Sequence, residues 1–204
     1  MTSGRPGAGT ERGHTLAETA VALAVGGLVA VLALPSLGGV RARAQVHGAC
    51  RELATRLRLT RSRAIAESRS LALVFDRDAL GWRCQLYADG DGDGVRSDDR
   101  ANGTDPSIGS ALRLGDRWEG VDLGFPALAR MRKLPPQTGW LAAMDDPVVF
   151  GSTDVVSFSP LGDASSGSLY VSDGHGSGAA IVLYGPTARV RVYRYDAARE
   201  EWLP

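Results

Sequence analysis

The sequence predicts an α+β fold in which a long N-terminal helix packs on an antiparallel β domain. Three observations predict it. The run from Thr19 to Val40 carries no charge. Beyond it, Val46, Cys50, Leu53, Leu57, Thr60 and Ala64 recur at alternating spacings of four and three, which is one narrow apolar stripe of a helix. After Ser70 the pattern changes to short β-like runs separated by turn residues, one of which, 82–87, alternates.

As a helix, the uncharged run rises about 33 Å, against about 30 Å for a hydrocarbon core, so it is long enough to span a membrane. A secretory signal has a shorter apolar core followed by a small-residue cut site, for which Ala33-Leu34-Pro35 offers the lesser alternative. Gly26, Gly27 and Pro35 argue against a helix buried in a soluble core. Glu18 stands at the mouth of the run. A carboxylate in a spanning helix costs about 2.5–3.5 kcal/mol at the centre and less near an end, and is kept where it gains a partner.

The helix is expected to continue to about Arg69. Arg41, Arg43, Arg51, Arg56, Arg58, Arg61, Arg63 and Arg69 lie along it, against only Glu52 and Glu67. A solvated face explains them; a contact surface for lipid headgroups, a partner subunit or DNA is the alternative. His47 reads as a surface histidine of this helix. The strand candidates are 71–75, 82–87, 121–125, 155–158, 168–171, 180–184 and 189–195. Their spacing predicts an antiparallel sheet or sandwich. In the second, Trp82, Cys84 and Leu86 face one way and Arg83, Gln85 and Tyr87 the other. The region from Ala101 to Gly151 reads only as variable loop and strand. Cys50 lies on the helix stripe and Cys84 on the apolar side of its strand, so both face the helix–sheet interface, either paired as a disulfide or as two buried thiols. Two cysteines alone are too few for a zinc site.

Charge is balanced, with 23 basic and 23 acidic residues, so bulk electrostatics draws no nucleic acid. Four local patterns carry chemistry. "DGDGDGVRSDD" sets Asp89, Asp91 and Asp93 at alternate positions, like the first half of a calcium loop. The twelfth position holds Arg100 in place of a bidentate Glu, and repeated Asp-Gly also makes turns unaided; a metal-free turn and a weak calcium site both stand. Asp173, His175 and Ser177 alternate on one Gly-rich loop, where they read as a hairpin turn and not as a triad. Arg189 and Arg191 share a strand face with Tyr193 and Tyr195, a row that could hold phosphate and stack on bases or simply protect an edge. No Walker motif, CxxC or catalytic constellation is present, so no enzyme is expected.

Gly13, then His14-Thr15-Leu16-Ala17-Glu18, resembles the processing site of type IV prepilins and type II secretion pseudopilins. "FSPLGDASSGSLYV", with Phe158, Pro160, Gly162, Gly167 and Leu169, resembles the Phe-x-Pro-x-Gly…Gly-x-Leu pattern of the GspH/FimT group of minor pseudopilins. "ARVRVYRY" is similar to that group's closing strand, with Ala188 in place of its Gly. His14 replaces the Phe usual after the cut.

The resemblance implies a pilin-like fold with residues 1–13 as leader, 14–40 as transmembrane and assembly helix, 41–69 as amphipathic periplasmic helix and 70–204 as periplasmic β domain. It implies cleavage by prepilin peptidase between Gly13 and His14, N-methylation of His14, and assembly roles for Glu18 and Pro35. The implied setting is the bacterial inner membrane, with other minor and major pseudopilins as partners at the tip of a type II secretion pseudopilus. A FimT-like type IV pilus minor pilin, binding DNA through Arg189 and Arg191, is the alternative within the superfamily. A calcium-dependent membrane-anchored binding protein is the alternative of another class.

Overall fold

The computed structural model describes residues 15–127, 130–134, 139–141 and 146–204, with 29–37 given by backbone alone. The fold is α+β and divides into two compact units, Met1–Val40 and Arg41–Pro204. Helix α1, Leu16–Glu67, begins in the first. Its backbone continues through Pro35. Leu16, Val21, Leu23, Val25, Leu28 and Val40 are all exposed. Among the described residues no helix is long and apolar enough to cross a membrane, so the expected span is not confirmed.

In the second unit α1 buries the stripe read from its periodicity. Val46, Cys50, Leu53, Leu57, Thr60 and Ala64 are all buried, joined by Ala49 and Ala54. The strands are β1 (Leu71–Asp78), β2 (Gly81–Ala88), β3 (Ser107–Leu112), β4 (Asp122–Leu123), β5 (Met131–Arg132), β6 (Trp140–Leu141), β7 (Val148–Val149), β8 (Val155–Phe158), β9 (Gly167–Ser172), β10 (Gly178–Tyr184), β11 (Arg189–Asp196) and β12 (Glu201–Leu203). A short helix α2, Ser97–Asn102, precedes β3. One antiparallel sheet has the order β3-β2-β1-β8. A second has the order β12-β11-β10-β9-β4, with β7 also on β9, and β5 pairs β6.

One core cluster joins α1 to both larger sheets. Leu53 and Leu57 lie in it with Leu71, Leu73 and Phe75 of β1, Leu169 and Val171 of β9, and Ile181 and Leu183 of β10. The opposite face of the second sheet carries a smaller cluster of Met131, Leu134, Tyr170, Ala180, Tyr195 and Trp202. The period of two in β10 and β11 divides these strands between the clusters: Ala179, Ile181, Val190 and Val192 toward the first, Ala180, Val182, Tyr193 and Tyr195 toward the second.

The Phe-x-Pro-x-Gly…Gly-x-Leu residues are structural parts of this core. Phe158 and Leu169 are fully buried. Gly162 adopts φ +88°, a left-handed conformation that closes the turn after β8. A Cβ on Gly167 would meet the Val149 carbonyl oxygen at 2.2 Å and the Phe150 ring at 2.4 Å, so β7 and β9 can pair only over a residue without a side chain. Gly167→Ala is expected to lower stability by about 1–3 kcal/mol, the usual cost of overpacking. Thermal unfolding of the variant against the parent chain measures it, and an unchanged melting temperature would refute the close approach.

Candidate functional site

At the N-terminal end, Gly13 and His14 lie outside the described residues. Glu18 stands in the first turn of α1, where the partial positive charge of the helix end favours a carboxylate. Thr15 Oγ1 accepts the Glu18 backbone N–H at 3.3 Å. Thr-x-x-Glu is the pattern of a capping box, and this local signal in the sequence identifies Thr15, which the processing motif alone does not. The Glu18 backbone N–H is thus satisfied at the helix start by Thr15.

The Asp-rich loop follows β2. Asp89, Asp91 and Asp93 each bring a carboxylate oxygen within 4.8 Å of one another. Asp89 is buried and accepts the Gly92 N–H at 2.7 Å and the Gly94 N–H at 3.0 Å. Asp105 is the residue that sequence reading missed here. It is buried and ties the loop from the far side, accepting Gly90 N–H at 3.0 Å and Arg96 N–H at 2.9 Å. Gly90 is required as well, since a Cβ there would meet the Thr104 carbonyl oxygen at 1.9 Å. Asp93 pairs with Arg96 at 2.5 Å. Loss of solvation, opposed by Arg96 and reinforced by Asp91, lifts the Asp93 carboxyl above its usual range. A calcium ion takes six to eight oxygens. The three carboxylates could supply part of that set, with Asp89 already engaged by its own loop and Asp93 by Arg96.

Cys50 and Cys84 are both free and buried, in the same core cluster. Burial pushes each thiol up to about 12, so both stay protonated at neutral pH and are poor nucleophiles. Asp173, His175 and Ser177 form the turn between β9 and β10. Asp173 Oδ1 accepts the His175 N–H at 2.8 Å and the Ser177 N–H at 3.0 Å, which fixes a hairpin loop and aims no base at a nucleophile.

Arg189 and Arg191 are exposed on one face of β11, opposite Tyr184 and Val182 of β10. The aromatic row beside them is not free to stack on bases. Tyr195 is buried against Trp202, ring centroids 5.0 Å apart, and Tyr193 packs on the same cluster. Glu52 has a role hidden from the sequence because its partners are distant. It accepts from Trp118 Nε1 at 2.9 Å and Arg117 Nη1 at 2.8 Å, clamping the short 3-10 turn Leu114–Asp116 and the residues after it onto α1. The Trp118 ring lies where a Cβ on Gly48 would be, at 2.3 Å.

The family model for type II transport protein GspH matches residues 49–192. No curated protein matches the chain, and no solved structure does. The matched span takes in the stripe of α1 from Ala49, both larger sheets as far as Val192, and the Phe158–Leu169 motif. The chain therefore belongs to the GspH family of type II transport proteins and is, at that level, a type II secretion pseudopilin.

Proposed function

We propose that this chain is a minor pseudopilin of the tip or initiation complex of a type II secretion pseudopilus. In this reading prepilin peptidase cuts between Gly13 and His14, His14 is N-methylated, and residues 14–40 hold the chain in the bacterial inner membrane with its β domain in the periplasm. The observation that carries the reading is the exposed apolar surface of α1 before Arg41, with Leu16, Val21, Leu23, Val25 and Leu28 uncovered behind a carboxylate in the first turn. Contiguous apolar surface of this kind is covered by lipid or by other chains. Membership of the GspH family supports the same reading from residues that do not overlap it.

The chemistry asked of the site is assembly, and no catalysis is needed. Cleavage creates an amine at His14. Glu18 of one subunit then neutralises the amine of a neighbour inside an apolar bundle of major and minor pseudopilins. Opposite charges attract more strongly there than in water, and each would be costly to bury alone. The Asp-rich loop is a self-closed turn in this reading, because Asp89 is engaged by the backbone it folds around.

Mass spectrometry of the membrane-extracted chain should find an N-methylated His14 at its start, and Gly13→Leu should retain the leader. A native chain that begins at Met1, or one cut after Ala33, would overturn the processing. Glu18→Ala should leave cleavage and folding intact but abolish co-purification with the other pseudopilins. Thr15→Val is the control, since it removes the cap at a cost of about 0.5–2 kcal/mol while keeping the carboxylate. If both variants lose their partners equally, Glu18 acts through the helix end and not through charge. Asp89→Ala should cost about 2–3 kcal/mol by orphaning two backbone donors. Millimolar calcium should leave the parent's melting temperature within about 1 °C, whereas a rise of several degrees would assign a metal to the loop.

A further inference from the structure

A basic trough runs along α1 beside β11. Arg43, His47, Arg51 and Arg58 project from one side of the helix, at spacings of four, four and seven. His47, Arg51, Ala54, Thr55 and Arg58 line a cleft of about 600 Å³ with Val192 and Arg194 of β11 and with Pro204 after β12. Arg43 and His47 line an adjoining cleft of about 290 Å³ with Arg194 and Asp196. Helix and strand thus run side by side in opposite directions. The lengths agree: Arg43 to Arg58 rises about 22 Å along a helix, and Val190 to Asp196 spans about 20 Å of strand. Arg194 belongs to the helix-facing row of β11, being opposite Ala179 and two residues beyond Val192. Arg43, Arg51, Arg58 and Arg194 enter no ion pair among the described residues, while Asp196 pairs with Arg199 at 3.8 Å.

The wall formed by β11 has an open edge. β12 pairs only with Arg194, Tyr195 and Asp196, so Arg189–Tyr193 has a neighbour on the β10 side alone among the described residues. The Val190 carbonyl points outward, accepting from Arg58 Nη2 at 3.4 Å. By the two-residue alternation of a strand, Val192 turns its N–H and C=O the same way. Such an edge is a template for another strand.

We propose that this trough binds an extended acidic segment of a partner polypeptide, added as a short strand to the edge of β11. Both features of the trough select that chemistry. The outward edge offers donors and acceptors together, which a polypeptide backbone satisfies in full and a phosphate backbone satisfies only at the donors. Arg43, Arg51 and Arg58, in no ion pair among the described residues, face the trough from its helix side, and a strand with acidic residues at alternate positions would present all of them to that side. The open stretch accommodates about four residues, or roughly 13 Å of strand.

The test uses the full chain in detergent micelles and a fluorescein-labelled peptide of alternating Val and Glu, eight residues long. Fluorescence anisotropy should show saturable binding that weakens with salt. Arg51→Gln, Arg58→Gln and Arg194→Gln combined should weaken it about tenfold or more, with melting temperature read alongside to confirm folding. The same peptide N-methylated at alternate amides, assayed on the unaltered chain, should also lose about tenfold or more. Equal binding of the methylated peptide would overturn strand addition, and equal binding by the folded triple variant would overturn the role of the arginines. Displacement of the peptide by a DNA duplex that binds more tightly in the same buffer would overturn the proposal in favour of nucleic acid. Sedimentation showing that a second copy of the chain fills the trough and excludes the peptide would overturn it as well.

Discussion

Leu53 and Leu57 of α1 sit in one cluster with the inward faces of both larger sheets, and the second unit is arranged around that contact. Neither sheet can cover its own apolar face. β1 presents Leu71, Leu73 and Phe75, and β9 and β10 present Leu169, Val171, Ile181 and Leu183, all essentially without solvent exposure. Each such side chain contributes about 1.5–3 kcal/mol when removed from water, and the helix stripe is what removes them. The same contact fixes the rotation of α1. A turn of one residue position, about 100°, would drive Arg51 or Arg58 into the core and bring Leu53 or Leu57 out.

Because the rotation is fixed, the polar residues of α1 have assigned positions. Arg61 Nε donates to the Gly162 carbonyl at 2.8 Å, so the turn of the Phe-x-Pro-x-Gly motif is tied to the helix. Glu52 holds Trp118 and Arg117 on another side, and Gly48 leaves room for the Trp118 ring. Arg43, Arg51 and Arg58, on the side toward β11, enter no ion pair among the described residues. A single periodic stripe therefore decides which side chains are buried, which tie loops to the helix and which are left to face a groove.

Much of this was legible in the sequence because it is periodic. The spacing of four and three in α1, the alternation in β2 and the short apolar runs of β1, β8, β9, β10 and β11 need no tertiary information. The rest depends on contacts far apart in the chain. β5, β6 and β7 are two residues each, too short to show any period, and they fall in the stretch that reads only as loop and strand, where the candidate 121–125 covers β4 alone. Asp105 and Glu52 were invisible for another reason, since their partners lie up to 66 residues away. At the candidate site, Glu18 was readable from register with Gly13, and Thr15 was readable as a capping residue. The arginines of α1 could be counted in the sequence, but the groove that gathers four basic positions exists only once β11 is laid beside them.

The two signals that bear on identity come from separate parts of the chain. The GspH match begins at Ala49 and owes nothing to Gly13, His14 or Glu18, while the processing motif owes nothing to the core that the match describes. They also differ in the surface that their part of α1 presents. Before Arg41, the described side chains of α1 expose Leu and Val with no charge between Thr19 and Val40. From Arg41 on, the helix buries one apolar stripe against the sheets, leaves Leu59 and Ile65 exposed, and carries its charge outward. The anchoring proposed above accounts for both patterns in one helix, because lipid or packed helices before Val40 and water after it would suit each of them.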